Sequence, residues 1–202
     1  MKADETAADG TRGALIVTGA DAPLGAAVVA AACQTGRSVI ACGSDHVALG
    51  EVASRDVVSL TLASSDPDQL RVVLAVAIDR FGGVAGVVHA EGHGHAPRTA
   101  GEVGGRLVGV QALVDALPPS TPHVIAVEES GRSSDPVAPL RAAAAAALSA
   151  WARSAAGMVR VVWVPAAAEP RAWTTPLLRA LHAGGLRNRV ADSARRLVRL
   201  RG

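Results

Sequence analysis

The chain has 202 residues, 50% of them hydrophobic and 19% charged, with a formal net charge of +2. That length predicts one domain with a core of its own, and the composition excludes both a disordered chain and a nucleic-acid binder held by bulk charge. There is no tyrosine, and the one lysine is Lys2, which excludes any mechanism that needs a tyrosine or an internal lysine.

Phe81, Trp151, Trp163 and Trp173 are the only aromatic residues, so the core must be built from Ala, Val and Leu. Residues 1–13 carry Lys2, Asp4, Glu5, Asp9 and Arg12 with no apolar run. They read as a polar, disordered leader rather than a signal peptide, ahead of a single domain over 14–202. Cys33 and Cys42 form no CxxC pair, and no apolar stretch is long enough to span a membrane. A cytoplasmic protein with reduced thiols is the expectation.

Ala14-Leu15-Ile16-Val17 is a continuous apolar run ended by Thr18-Gly19, the pattern of a strand buried on both faces. Pro23 to Gln34 is small and apolar, predicting a helix stopped at Gly36. Ser38 to Cys42 is a second strand, completing a βαβ unit. Further along, Val57 to Leu62 predicts a strand and Asp68 to Phe81 a helix with Leu70, Val73, Leu74, Ala77 and Ile78 on one face. The alternation continues with a strand over Val84 to His89, a helix over Gly101 to Leu117 and a strand over His123 to Val127. Then come a helix over Pro139 to Ala156 and a strand over Met158 to Val164. Thr174 to Gly202 reads as one or two helices with an Arg-rich end. The predicted fold is α/β: a doubly wound parallel sheet of six strands with helices on both faces.

The first turn, Thr18-Gly19-Ala20-Asp21-Ala22-Pro23-Leu24-Gly25, sits between a strand and a helix, where a dinucleotide's pyrophosphate would meet close backbone and a helix N-terminus. It resembles the TGxxxGxG turn of the short-chain dehydrogenases/reductases, with Pro23 in place of the middle glycine. Val87-Val88-His89-Ala90-Glu91-Gly92 resembles that family's strand ending in NNAG, and Val159 to Pro165 resembles its sixth strand. The resemblance implies a Rossmann-type fold. It also implies that the chain stops short of the family's usual length, without a seventh strand and much of the substrate lid.

At the family's functional positions this sequence departs. The adenine-contacting Asp falls at Ala63, the NNAG asparagines near His89 and Ala90, and the helix asparagine at Arg106. The catalytic serine region reads Glu128-Glu129-Ser130, and the YxxxK pair falls near Val137 and Arg141. In the family the tyrosine gives its proton to the carbonyl oxygen while the lysine lowers the tyrosine pKa. Such acid–base help contributes about 10²–10⁴-fold, and neither Val nor Arg replaces it.

No cofactor is therefore expected. If NAD(P) binds, with weakened affinity, the resemblance places it on Gly19, Ala20, Asp21, Leu24, Gly25, Ser44, Ala90 and Gly92. After the second strand comes Gly43-Ser44-Asp45. Neither the Arg of NADP-preferring relatives nor the acid of NAD-preferring ones stands in register there, although Asp45 is close.

Two loops at the carboxyl ends of neighbouring strands are rich in polar residues: His89-Ala90-Glu91-Gly92-His93-Gly94-His95 and Glu128-Glu129-Ser130-Gly131-Arg132. Substitute catalytic groups would be His89, Glu91, His93, Glu128, Glu129 and Ser130, with a histidine paired to Glu128 or Glu129 as general acid/base. Two histidines and a glutamate here could hold Zn²⁺, but Gly-rich surface loops also collect polar residues because they are solvated; no metal is expected.

The family assembles through its fourth and fifth helices, matched here by 101–117 and 139–156. Both are rich in Gly and Ala, so helix axes can approach closely; Trp151 either anchors such a seam or caps the core. The C-terminal arginines (Arg187, Arg189, Arg195, Arg196, Arg199 and Arg201) suit an acidic partner or are simply solvated; no aromatics interleave for nucleic acid. The leading expectation is a catalytically degenerate structural or regulatory subunit, in a complex with itself or with an active reductase. The alternatives are a lyase, cyclase or isomerase working through the His/Glu loops, and an NAD(P)-sensing regulator.

Overall fold

The computed structural model describes residues 13–62, 66–90, 100–129, 138–155, 159–165 and 169–182. Six strands form one sheet: β1 (Ala14–Thr18), β2 (Val39–Gly43), β3 (Val57–Thr61), β4 (Val84–His89), β5 (His123–Glu129) and β6 (Val159–Pro165). Every pairing is parallel and the spatial order is β3-β2-β1-β4-β5-β6. The order reverses between β1 and β4, which opens a crevice beyond the carboxyl ends of these two strands.

β1 lies at the centre and is buried throughout. Leu15 and Val17 point into one layer, where α1 (Pro23–Gln34), α2 (His46–Val52) and α6 (Pro170–His182) supply Leu24, Val28, Leu49, Leu177 and Leu181. Ala14 and Ile16 point into the other, against Leu70, Val73 and Ala77 of α3 (Pro67–Phe81) and Leu113 of α4 (Ala100–Ala116). A third cluster joins Val110 of α4 and Ala145 of α5 (Ala138–Ser154) to Ile125 and Val127 of β5, with Trp151 and Trp163 packed against it. The unbroken apolar run of β1 is thus the signature of a strand covered on both faces. Trp151 leans on this third cluster, as a core-capping residue does.

The predicted elements are found, with shifted ends. β5 runs on through Glu129, so Glu128 and Glu129 belong to a strand end rather than a loop. α6 begins at Pro170, four residues before the predicted start; its C-terminal arginines lie outside the described residues, as does the leader over 1–12. α2 was not expected. Its seven residues bury only Leu49 and include Gly50, so periodicity is faint, but Asp45 caps it by accepting from the N–H groups of Val47 and Ala48. The Asp45 cap was the available signal. Both cysteines are free.

Two glycines separate strain from tolerance. A Cβ on Gly25 would lie 2.0 Å from the Gly19 carbonyl oxygen, whereas one on Gly50 would meet nothing within 4 Å. Gly25→Ala is expected to destabilise the fold by at least about 2 kcal/mol. Gly50→Ala should stabilise it by about 0.5–1 kcal/mol. Urea unfolding of the two variants checks the pair.

Candidate functional site

The turn after β1 is shaped by backbone. Gly19 adopts φ +69°, and Gly25 packs its Cα against the Gly19 carbonyl, where any side chain would collide. The Ala20 N–H donates to Cys42 O at 2.9 Å and the Ala90 N–H donates to Thr18 O at 3.0 Å, so the turn is tied to the ends of β2 and β4. Ala22 caps α1 without a side-chain acceptor and Pro23 stands in its first turn. Pro23 has no N–H, so Leu24 and Gly25 carry the first-turn N–H groups that lack an i−4 partner. Together these make a surface on which an anion can be held by N–H groups and the helix dipole.

Beside it, Asp21 of the same turn takes three donors from the residues that follow β2. Asp21 Oδ2 accepts from the Ser44 N–H at 2.7 Å, the Asp45 N–H at 2.9 Å and the Ser44 hydroxyl at 3.1 Å. Asp45, considered for a ribose contact, is instead committed to the α2 cap. Of the cofactor candidates, the structure brings together Gly19, Ala20, Asp21, Leu24, Gly25 and Ser44 around this turn, with Ala90 reached through Thr18. Gly92 lies outside the described residues.

The proposed acid–base group His89 is found elsewhere than in an open loop. It is the last residue of β4 and only 2% exposed. Its Nδ1 lies 3.4 Å from Thr18 Oγ1, its Nε2 lies 3.4 Å from His123 Nδ1, and the two imidazole planes lie within 11° of parallel with centroids 5.7 Å apart. With one proton on each shared edge, the chain Thr18–His89–His123 can be satisfied with both rings neutral. Burial, reinforced by the neighbouring His123, lowers the His89 pKa to about 3, and burial lowers that of His123 to about 4. Nor does register bring His89 to the β5 glutamates. It pairs with Ile125, and Glu128 lies three residues farther along β5, about 10 Å at strand rise.

His123 is the polar residue that the sequence reading missed. It sits at the start of β5 and lines a cavity of about 450 Å³ with Asp115, Thr121, Trp151 and Ser154, at the end of the sheet opposite the glycine turn. A histidine opening a buried strand was the available hint. Glu91, His93, Ser130 and Val137 lie outside the described residues. Glu128 and Glu129 are placed by backbone alone, opposite Val164 and Pro165 of β6. Arg106 and Arg141 lie on α4 and α5. Among the described residues no three His, Cys, Asp or Glu side chains gather as metal ligands, and no helix is long and apolar enough to cross a membrane.

No protein-family model and no curated protein matches the sequence. Solved structures do match. A short-chain dehydrogenase/reductase family oxidoreductase from Aeromonas hydrophila subsp. hydrophila superimposes with a TM-score of 0.68 at 18% identity, over 85% of this chain and 93% of that one. A short-chain type dehydrogenase/reductase from Mycobacterium marinum gives 0.65 at 18% identity, over 86% and 89%. A 3-ketoacyl-(acyl-carrier-protein) reductase from Brucella melitensis, complexed with NADH, gives 0.59 at 22% identity, over 77% and 75%. At these identities the likeness establishes the fold, which is the Rossmann-type fold of the short-chain dehydrogenases/reductases.

The buried histidine pair makes stability depend on pH with a definite sign. Both folded pKa values lie below the ordinary 6.5, so as pH falls the unfolded state takes up protons first. The stabilisation is complete above about pH 6.5 and is lost as pH falls toward about 4 for His123 and about 3 for His89, by up to about 1.4 kcal/mol per pH unit for each histidine. Urea midpoints measured across that window should fall in the wild type and flatten in His89→Leu/His123→Leu. An equal slope in both proteins would contradict the assignment.

Proposed function

We propose that this chain is a short-chain dehydrogenase/reductase family member that does not reduce carbonyls and serves as a structural or regulatory subunit, assembled with itself or with an active reductase. The observation that carries this reading is the absence of tyrosine from all 202 residues. No other phenol can donate the proton that the fold's reduction requires. His89, one of the candidate substitutes, is held neutral in the core by burial. An enzyme of altered chemistry would have to draw on Glu91, His93, Glu128, Glu129 or Ser130 without it.

The assembly surface in this reading is the outer face of α4 and α5. Gly101, Val108, Gln111 and Asp115 are exposed along one side of α4, and Ala142, Ala143, Ala146, Ala147 and Ala150 along α5. Val108 keeps 52% of its surface in solvent. Small residues spaced along two adjacent helices let a second pair of helices approach closely and exclude water.

A second reading, a dinucleotide-sensing subunit, is favoured by the glycine turn. Gly19 and Gly25 keep the close backbone approach, and the first turn of α1 keeps N–H groups for a pyrophosphate. The Brucella melitensis reductase of the same fold is complexed with NADH. The two readings are compatible, since a bound nucleotide can regulate a subunit that does not turn it over.

Native mass spectrometry of the gently purified protein is expected to give an assembly of two or more subunits. Ala146→Glu/Ala150→Glu should release monomers whose melting temperature stays within a few degrees of a monomeric reference. No carbonyl substrate should be consumed with NADH or NADPH, even in Val137→Tyr/Arg141→Lys. A wild-type monomer, or steady turnover by the unmodified chain, would overturn the proposal.

A further inference from the structure

The end of β2 is where an open α/β sheet meets the adenosine ribose of a dinucleotide, and a carboxylate there accepts from the ribose hydroxyls. This strand ends in Gly43, followed by Ser44 and Asp45, with Asp45 spent on the α2 cap. The position looks vacated. It is not empty, because a Cβ on Gly43 would lie 2.5 Å from Asp21 Cγ and 2.6 Å from Asp21 Oδ1. The carboxylate of Asp21, which enters from the glycine turn, therefore occupies the space that a side chain at position 43 would take.

Three contacts hold it there. Asp21 Oδ2 takes the N–H groups of Ser44 and Asp45 and the Ser44 hydroxyl. These three donors form the kind of cradle that binds a phosphate group, and here the chain's own anion fills it. Residues 43–52 contain Asp45 and Glu51 but no Arg or Lys. A second anion brought to this place would find its donors taken and a carboxylate against it.

We infer that Asp21 selects the nucleotide: it stands in for the missing acid at the end of β2, accepting from free ribose hydroxyls and rejecting a 2′-phosphate. The inference rests on the dinucleotide-binding reading above and deepens it, assigning the site to NAD(H) rather than NADP(H). Asp21 is a specificity residue and takes no part in any chemical step. Ser44 positions it, and Gly43 must stay without a side chain for it to fit.

The test is a titration of the full chain with NADH and with NADPH, followed by nucleotide fluorescence and calorimetry, with thermal melting to verify folding of each variant. The wild type should bind NADH at least about tenfold more tightly than NADPH. Asp21→Ser releases the Ser44 and Asp45 donors and should raise NADPH affinity relative to NADH by at least about tenfold. Asp21→Asn keeps the shape and should reduce the preference by removing the charge. Asp21→Gly/Gly43→Asp returns a carboxylate to the same space from β2 and should restore the preference for NADH, which guards against a single variant that merely unfolds. Binding of NADPH by Asp21→Ser where the wild type binds neither nucleotide overturns the assignment to NAD(H), because Asp21 then only blocks a phosphate and accepts no ribose. Equal binding of both nucleotides by the wild type, or an unchanged preference in Asp21→Ser, overturns the role of Asp21 and leaves nucleotide binding standing. Failure of every folded variant to bind either nucleotide overturns the dinucleotide reading, and the inference with it.

Discussion

The close approach of Gly25 to the carbonyl of Gly19 fixes the working end of this molecule. With 2.0 Å between that oxygen and the place a Cβ would take, α1 starts almost on top of the turn. Gly19 must then adopt a left-handed conformation. From that one contact the remaining geometry follows. Ala20 is set to bond to the end of β2, Thr18 to the residue after β4, and Asp21 is thrown sideways across Gly43. The crevice at the switch point is defined by backbone before any functional side chain enters it.

Two polar devices meet that backbone, and they differ in kind. Asp21 lies at the surface end of the sheet and organises donors from a neighbouring loop. The Thr18–His89–His123 chain lies inside, where the His89 ring lies between a hydroxyl and the second imidazole. A buried polar group is tolerated when it is satisfied, and a histidine is most easily satisfied neutral. The imidazole that the sequence offers as a proton carrier is buried, and burial keeps it neutral at neutral pH.

The outside of the molecule is divided along similar lines. α1, α2 and α6 cover one face of the sheet with Leu24, Leu49 and Leu177. The opposite face is covered by α3, α4 and α5, whose inner sides supply Leu70, Leu113 and Ala145. The exposed sides of α4 and α5 carry Gly, Val and Ala. Their small side chains leave these two helices with a shallow outer surface.

Much of the fold is legible in the chain itself. Ala14 to Val17 must be a strand covered on both faces because four consecutive apolar side chains point alternately to two sides. Gly19 and Gly25 between a strand and a helix mark a tight turn in the sequence; the structure adds the reason, a left-handed Gly19 and a Gly25 with no room for a Cβ. The absence of tyrosine needs no structure to matter. Weak periodicity hid α2, since a seven-residue helix with one buried leucine leaves little pattern. Tertiary structure decided the partners of the polar residues. His89 meets His123 across 34 positions and Asp21 meets Ser44 across 23. Such contacts depend on strand order and register, which parallel crossovers establish only when the sheet is assembled. Local pattern tells a residue which way to face; only the finished sheet determines what it finds there.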